Sequence, residues 1–166
     1  MHHGRPGIII AIAIVLAAMP AKAQRPQATI DRLYKDFRSE AEHPELSFVD
    51  QPRAVIGRYL DSSLTELLVA DRACATRTHE ICRLDFALLW GSQDPDAHDV
   101  TIRRTKDPSV VVAGLGGSEG SRYIEMRYHL VNTTNGWRVH DIVYPQRLSL
   151  RALLSGRPVP RRPARP

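Results

Sequence analysis

The sequence has no hydrophobic run long enough to cross a membrane as a helix. The apolar run of residues 8–18 has 11 residues, or 12 when Met19 is included, whereas a spanning helix needs roughly 20. Arg5 precedes the run, and Pro20 and then Ala21-Lys22-Ala23 follow it. A basic start, a short apolar segment and a small-residue exit are typical of a secretory signal peptide. We therefore expect cleavage near Ala23 and a periplasmic or secreted bacterial protein.

The folded part also lacks an excess of positive charge. The net charge of +5 comes from cations in the signal segment and in a Pro/Arg-rich tail, residues 157–166, whereas positions 24–156 carry 17 basic and 18 acidic residues. Nucleic-acid binding needs a cationic surface, so we predict no nucleic-acid partner. The tail has little to bury and is predicted to be disordered. The alternative is a weak contact of the tail with a membrane or another anionic surface.

Cysteine is scarce, since the chain has only Cys74 and Cys82. In an exported protein, two cysteines at this spacing favour a disulfide. A zinc site would need more ligands at closer spacing. We predict a structural Cys74–Cys82 bridge.

Motifs of known catalytic and cofactor sites are missing as well. Gly116-Gly117-Ser118-Glu119-Gly120 has the spacing of a Gly-x-Ser-x-Gly motif, but it joins two predicted strands and no helix follows it, so we interpret it as a turn rather than a nucleophile elbow. The sequence contains no phosphate-binding loop and no His-Glu-x-x-His pair. Asp94, Asp96 and Asp99 crowd one loop, but the glycine and the distal glutamate of a calcium loop are absent. We predict no metal, no cofactor and no identified catalytic residue.

The first half of the mature chain is predicted to be helical. Apolar residues recur at helical spacing over residues 26–41, and a second, shorter helical stretch spans residues 51–58. A third helix is expected to begin at Ser63, because Ser63 and Glu66 have the spacing of a capping box. Residues 84–90 are predicted to be a buried short strand or an irregular segment.

The second half is predicted to form antiparallel strands over residues 100–105, 109–115, 122–131 and 137–144. Ile124, Met126, Tyr128 and Leu130 alternate with polar residues, and Asn135-Gly136 marks a hairpin turn. A last helical turn is expected over residues 149–154. Helices followed by strands indicate an α+β domain, residues 24–156, in which N-terminal helices pack on a curved antiparallel sheet of about four strands.

This order of elements resembles the nuclear transport factor 2-like cone fold. The closing strand Gly136-Trp137-Arg138-Val139-His140-Asp141-Ile142 and the segment Leu84-Asp85-Phe86 are similar to those of an exported bacterial family called domain of unknown function 3828. The resemblance implies a pocket in the cone but assigns no activity. We expect four residues to be candidates for lining that pocket: Asp85, Tyr128, Trp137 and Asp141.

Asp141 and Asp85 are each open to two interpretations. Strand alternation places Asp141 on one face with Trp137, Val139 and Val143, and His140 on the other, so the adjacent Asp and His form a hydrogen-bonded pair only if a bulge intervenes. A carboxylate among apolar residues either accepts hydrogen bonds that fix the sheet or has a raised pKa suited to proton transfer. Asp85 either caps a turn or lines a pocket mouth.

The function predicted from the sequence is that of a non-catalytic exported module. It would bind a small apolar ligand or a protein partner, and its oligomeric state is left open. The alternative is a small periplasmic lyase or hydrolase that uses Asp141 or Asp85 in a cone pocket.

Overall fold

The computed structural model describes residues 25–95, 97–117 and 123–156. The predicted signal segment, residues 1–23, and the predicted tail, residues 157–166, lie outside these ranges. Within them, no helix combines the length and the apolarity that crossing a bilayer requires.

Helix α1, Pro26–Asp36, buries Ile30 and Leu33 and carries proline in its first turn. It ends earlier than the sequence predicts and gives way to three short 3-10 turns, Arg38–Ala41, Pro44–Leu46 and Phe48–Asp50. Glu40, 2% exposed, explains part of the difference. Its carboxylate accepts hydrogen bonds from Ser47 Oγ at 2.9 Å and Phe48 N at 3.2 Å, which hold the turns close to the end of the helix.

Helices α2, Arg53–Ile56, and α3, Ser62–Thr78, follow. The predicted capping box at Ser63 and Glu66 is wrong, because Asp61 is the N-cap of α3 and accepts from Leu64 N at 2.7 Å. Helix α3 ends at His79 in the left-handed region, φ 58°. The predicted disulfide between Cys74 and Cys82 is present and ties the end of α3 to the next segment.

Four antiparallel strands form one sheet in the order β1-β2-β3-β4. They are β1, Ala97–Arg104, β2, Val110–Gly117, β3, Ile124–Thr133, and β4, Gly136–Val143. The hairpin turn between β3 and β4 is where the sequence places it, and Gly136 has the positive φ of 91° that such a turn needs. A 3-10 turn, Pro145–Arg147, and helix α4, Leu150–Leu154, close the described chain.

The helices cover one face of the sheet, so the predicted α+β class is confirmed. Met126, Tyr128 and Leu130 of β3 point into this face, as alternation predicts. The core contains both helical and strand residues together with the irregular segment 88–90. Leu88, Leu89 and Trp90 are almost fully buried although they belong to no helix or strand.

Strand β4 breaks the regular alternation that the sequence predicts for it. Its register against β3 shifts between His129 and Leu130, which pair with Asp141 and Val139 respectively, so that His140 is an extra residue. The free edge of β4 is covered by the segment before α3. Val139 N donates to Tyr59 O at 2.7 Å, and Asp61 N donates to Val139 O at 2.9 Å.

Candidate functional site

The four residues predicted to line a pocket do not meet in one cavity. Tyr128 lies in the core with 0% exposure, and Trp137 is partly buried at the start of β4. Asp141 lies near the end of β4 in a hydrogen-bond network. Among these four, Asp85 lines a surface cleft.

The carboxylate of Asp141 is fully occupied by the fold. Its Oδ1 accepts from Ile142 N and from Arg151 N, both at 2.9 Å, and its Oδ2 accepts from Ser149 Oγ at 2.7 Å. Ser149 is the N-cap of α4 and accepts in turn from Ala152 N at 3.0 Å. Asp141 thus anchors the first turn of α4 to β4. Of the two interpretations given above, these contacts match the carboxylate that accepts hydrogen bonds and fixes the fold.

The bulge residue His140 pairs with Asp61 rather than with its neighbour Asp141. Its Nδ1 lies 2.6 Å from Asp61 Oδ2, with 45% of the His140 side chain exposed against 12% for Asp61. Burial pushes the pKa of Asp61 up, but hydrogen bonds from Leu64 N and His140 and the charge of Arg151 outweigh it and leave the pKa below its usual range. Because Asp61 is therefore ionised at neutral pH, Nδ1 must carry the proton of this bond.

Arg151 joins the Asp61 and Asp141 groups into one network. Its backbone N–H binds Asp141, while its guanidinium donates to Asp61 Oδ1 at 3.1 Å and to His140 O at 2.7 Å. The network therefore connects the N-terminus of α3, the bulge of β4 and the first turn of α4. Its known contacts all serve to hold these three elements together.

The interior of the sheet face is filled by tyrosines rather than left as a cone pocket. Tyr34 OH donates to Leu89 O at 2.8 Å and therefore accepts from Tyr128 OH, also at 2.8 Å. Tyr144 OH donates to Leu88 O at 3.0 Å. Burial raises the pKa of all three phenols. These bonds fix the irregular segment 88–90 in the core.

The surface cleft that contains Asp85, called here the Asp85 cleft, has a volume of about 370 Å³. The turn after Asp85, the beginning of β3 and the segment after β4 form its walls. Its apolar lining consists chiefly of Phe86, Tyr123, Ile124, Tyr144 and Leu148, and its polar lining of Asp85, Ser92 and Gln93. The Phe86 and Tyr144 rings pack edge to face, with centroids 4.9 Å apart. Tyr123 is 55% exposed.

Two unusual backbone features shape this cleft. Gly91 has φ 63°, which favours glycine, and an added Cβ would also make tight contacts of 3.2 Å with Met126 Sδ and Tyr144 Cδ1. Gln146 and Arg147 have φ 61° and 64°, a conformation that costs a non-glycine residue roughly 1–2 kcal/mol. The Tyr144 N to Leu148 O bond of 2.9 Å spans them and holds the strained turn.

Sequence reasoning missed Asp61, Glu40 and Arg151 as structurally important charged residues. Asp61 has a usable signal, because Asp directly before a helical stretch is a preferred N-cap. Glu40 and Arg151 have none, since their partners are set by tertiary contacts. Burial raises the pKa of Glu40 against the opposing effect of its bonds from Ser47 and Phe48.

The acidic loop after the cleft shows no metal site in the part of the chain that the structure describes. No group of three His, Cys, Asp or Glu side chains there is arranged to hold an ion. Asp94 is exposed and its backbone N–H donates to Ser92 Oγ at 3.3 Å. Asp96 lies outside the described residues.

A scan of the chain against models of protein families gives no match, and searches of curated proteins and of solved structures give no significant match. What the geometry defines is a class, an α+β protein with one disulfide and a small aromatic cleft. The similarity to nuclear transport factor 2-like proteins and to the exported family stays a prediction from the sequence.

Proposed function

We propose that the protein is an exported, non-catalytic binding protein and that the Asp85 cleft holds its ligand. The ligand class is a small molecule with an apolar body and one amine or other cationic group. The observation that carries the proposal is the composition of the cleft. Its walls are aromatic and aliphatic, and Asp85 is the only charged side chain among the described residues that line it.

The apolar walls suit the body of such a ligand. A volume of about 370 Å³ falls in the range of about 300–1,000 Å³ that small-molecule sites occupy. The Tyr123 ring is partly exposed at the cleft, so a ligand would remove apolar surface from water there. The hydroxyl end of Tyr123 also lies over Gly114 of β2, where an added Cβ would clash with the phenol oxygen, so the ring has room there because residue 114 has no side chain.

The polar part of the cleft suits a cation. Among the described residues, Asp85 receives one long hydrogen bond, from Gln93 Nε2 at 3.4 Å, so its oxygens are available to a ligand. A cation beside Asp85 would also lie near aromatic rings, whose faces attract positive charge by about 0.5–2 kcal/mol. A neutral ligand of the same shape would gain neither contribution.

The strained turn at the rim of the cleft supports the same assignment. Gln146 lines the cleft and, like Arg147, adopts a left-handed conformation. Such strain is concentrated in proteins at ligand clamps and active sites. Glycine would adopt this left-handed conformation without the conformational cost. The side chains of Gln146 and Arg147 are therefore retained at a cost in stability that a purely structural turn would not need.

Export rests on two supports. The signal-like segment, residues 1–23, lies outside the described residues, whereas the Cys74–Cys82 disulfide belongs to the described fold. Disulfides persist in oxidising compartments such as the periplasm and the exterior. A mature chain that begins at Gln24 after secretion would support export, and an intact N-terminus in the cytoplasm would count against it.

The cleft is tested with 2-phenylethylamine and its neutral analogue 2-phenylethanol as probes, by calorimetry on the disulfide-bonded mature chain. The amine should bind at least tenfold more tightly than the alcohol, because a hydrogen bond to a charged group contributes about 1.5–3 kcal/mol. Asp85→Asn should remove this preference and leave the alcohol unaffected. Asp94→Asn, which changes an exposed carboxylate outside the cleft, is the matched control.

Equal binding of amine and alcohol by the wild-type chain would refute the charge selectivity. Absence of binding by both probes, together with a native mass spectrum free of retained ligand after purification from the periplasm, would refute the cleft as a ligand site.

The enzymatic alternative is supported only at Asp85, since the oxygens of Asp141 are occupied. Ser92 and Gln93 line the same cleft and would be the second polar groups that proton transfer at Asp85 requires. Conversion of an added amine into a new product, abolished by Asp85→Asn, would establish this alternative in place of simple binding.

A further inference from the structure

The two edges of the sheet are treated differently by the fold. The edge of β4 is paired with Tyr59 and Asp61 through backbone hydrogen bonds and continues in the bridge between Val143 and Ser149. Strand β1 is the other terminal strand, and no described residue pairs with its outer edge. An edge strand of eight residues presents a row of backbone donors and acceptors to any strand that fits it.

The side chains of β1 are complementary to those of a second β1. In an antiparallel pair centred on Thr101, Asp99 of each copy lies opposite Arg103 of the other. Val100 lies opposite Ile102, and Thr101 faces its own copy. Directly opposed residues share a face, and the register against β2 places Asp99, Thr101 and Arg103 on the face away from the helices. Each symmetric pair therefore gives two opposite-charge contacts on that face.

We propose that β1 is a self-association surface, at which a second copy of this chain pairs antiparallel around Thr101 and joins the two sheets into one of eight strands. Arg103 also forms an exposed ion pair with Glu125 of β3 in the same copy, which places its guanidinium on the sheet face away from the helices. An unrelated edge strand would place a like charge or an uncharged residue opposite Asp99 or Arg103. Pairing with such an edge is therefore less favourable than pairing with a second β1.

The helix-facing side of β1 supports the same occupant. Val100 and Ile102 are partly buried and, with Tyr34, line an open cleft of about 330 Å³ between α1 and β1, whose other lining residues are the charged Asp31, Lys35, Arg38 and, at the strand edge, Asp99. The partner's Ile102 and Val100 would lie beside Val100 and Ile102 and cover part of the apolar surface that these two side chains still expose. A single strand from each copy forms a small interface, so association in the micromolar range is expected.

The test is sedimentation of the disulfide-bonded mature chain from roughly 5 to 500 μM, a range set by the expected micromolar association. The wild type should pass from monomer to dimer. Asp99→Arg and Arg103→Asp should each weaken the dimer at least tenfold, because each places like charges opposite each other twice. An equimolar mixture of the two variants should form a heterodimer, because all opposed charges then match. Native mass spectrometry identifies that heterodimer.

Glu125→Gln is the matched control, since it breaks the ion pair with Arg103 inside one copy but leaves the charges of β1 unchanged. It should keep the dimer. Hydrogen exchange of the wild type gives a test without substitutions, because β1 amides should gain protection as concentration rises. A wild type that stays monomeric, β1 amides that gain no protection, or a dimer that both charge variants leave intact would each overturn the proposal.

Discussion

Removal of the Asp141 carboxylate should destabilise the protein strongly even though Asp141 is not among the residues that line the Asp85 cleft. The perturbation is Asp141→Ala, which deletes three acceptor contacts of 2.9, 2.9 and 2.7 Å. Two of the three donors, Arg151 N and Ser149 Oγ, belong to the first turn of α4. The substitution thus leaves the beginning of this helix without its anchor on β4.

The magnitude follows from these contacts. A hydrogen bond to a charged group contributes about 1.5–3 kcal/mol, and because Asp141 is only partly buried the lower end applies to each. For three such bonds we expect Asp141→Ala to lower the free energy of unfolding by about 4–5 kcal/mol. Asp141→Asn keeps an oxygen for the two N–H groups, so its cost should be about 1–2 kcal/mol.

The assay is urea unfolding of the mature chain followed by tryptophan fluorescence, together with hydrogen exchange of α4. The slope of free energy against urea should not change, since the exposed surface is the same. Asp85→Ala is the control. Asp85 has one hydrogen bond of 3.4 Å, and its removal should change stability by less than about 0.5 kcal/mol. A cost below 1 kcal/mol for Asp141→Ala, or an equal cost for Asp85→Ala, would refute the reasoning.

Two further predictions concern the disulfide and the acid response. Replacement of both Cys74 and Cys82 by alanine should lower the free energy of unfolding by about 2–3 kcal/mol in the chain-entropy model, measured by urea unfolding with reduced wild type as comparison; no difference from the oxidised protein would contradict it. Because the pKa of Asp61 is lowered in the fold, its contribution to stability is present above the unfolded pKa of about 3.9 and is lost as pH falls through the folded value. Asp61→Asn should therefore be less stable at pH 7 and should lose less stability than the wild type on titration from pH 5 to pH 2. A parallel pH profile for the two proteins would contradict this assignment.

The sequence predicts those elements in which each face keeps the same surroundings, core or solvent, along the whole length of the element. Strand β3 alternates because one side faces the helices throughout, and Ile124, Met126, Tyr128 and Leu130 lie where alternation places them. The disulfide is predictable too, because two cysteines in a chain that begins with a signal-like segment leave few alternatives. In these cases the local pattern and the tertiary structure impose the same constraint.

Prediction fails where distant segments decide the local geometry. The bulge at His140 accompanies a backbone pairing of β4 with Tyr59 and Asp61 and a side-chain bond from His140 to Asp61, 79 residues apart along the chain. No pattern within β4 contains this information. The early end of α1 has the same origin, since Glu40 is held by Ser47 and Phe48 rather than by the helix.

Asp85 and Asp141 show why composition alone could not separate a structural carboxylate from a binding one. Both are single carboxylates in apolar segments, and both had the same two interpretations. The difference is the number of donors that the fold brings to each, three short bonds for Asp141 and one long bond for Asp85. A carboxylate whose oxygens are satisfied has little interaction left for a ligand, whereas one at a cleft can bind a cation without disrupting the fold. Substitution should consequently affect stability at Asp141 and binding at Asp85. A variant of Asp85 that unfolds the protein, or a variant of Asp141 that alters amine selectivity while the fold stays intact, would reverse this division of roles.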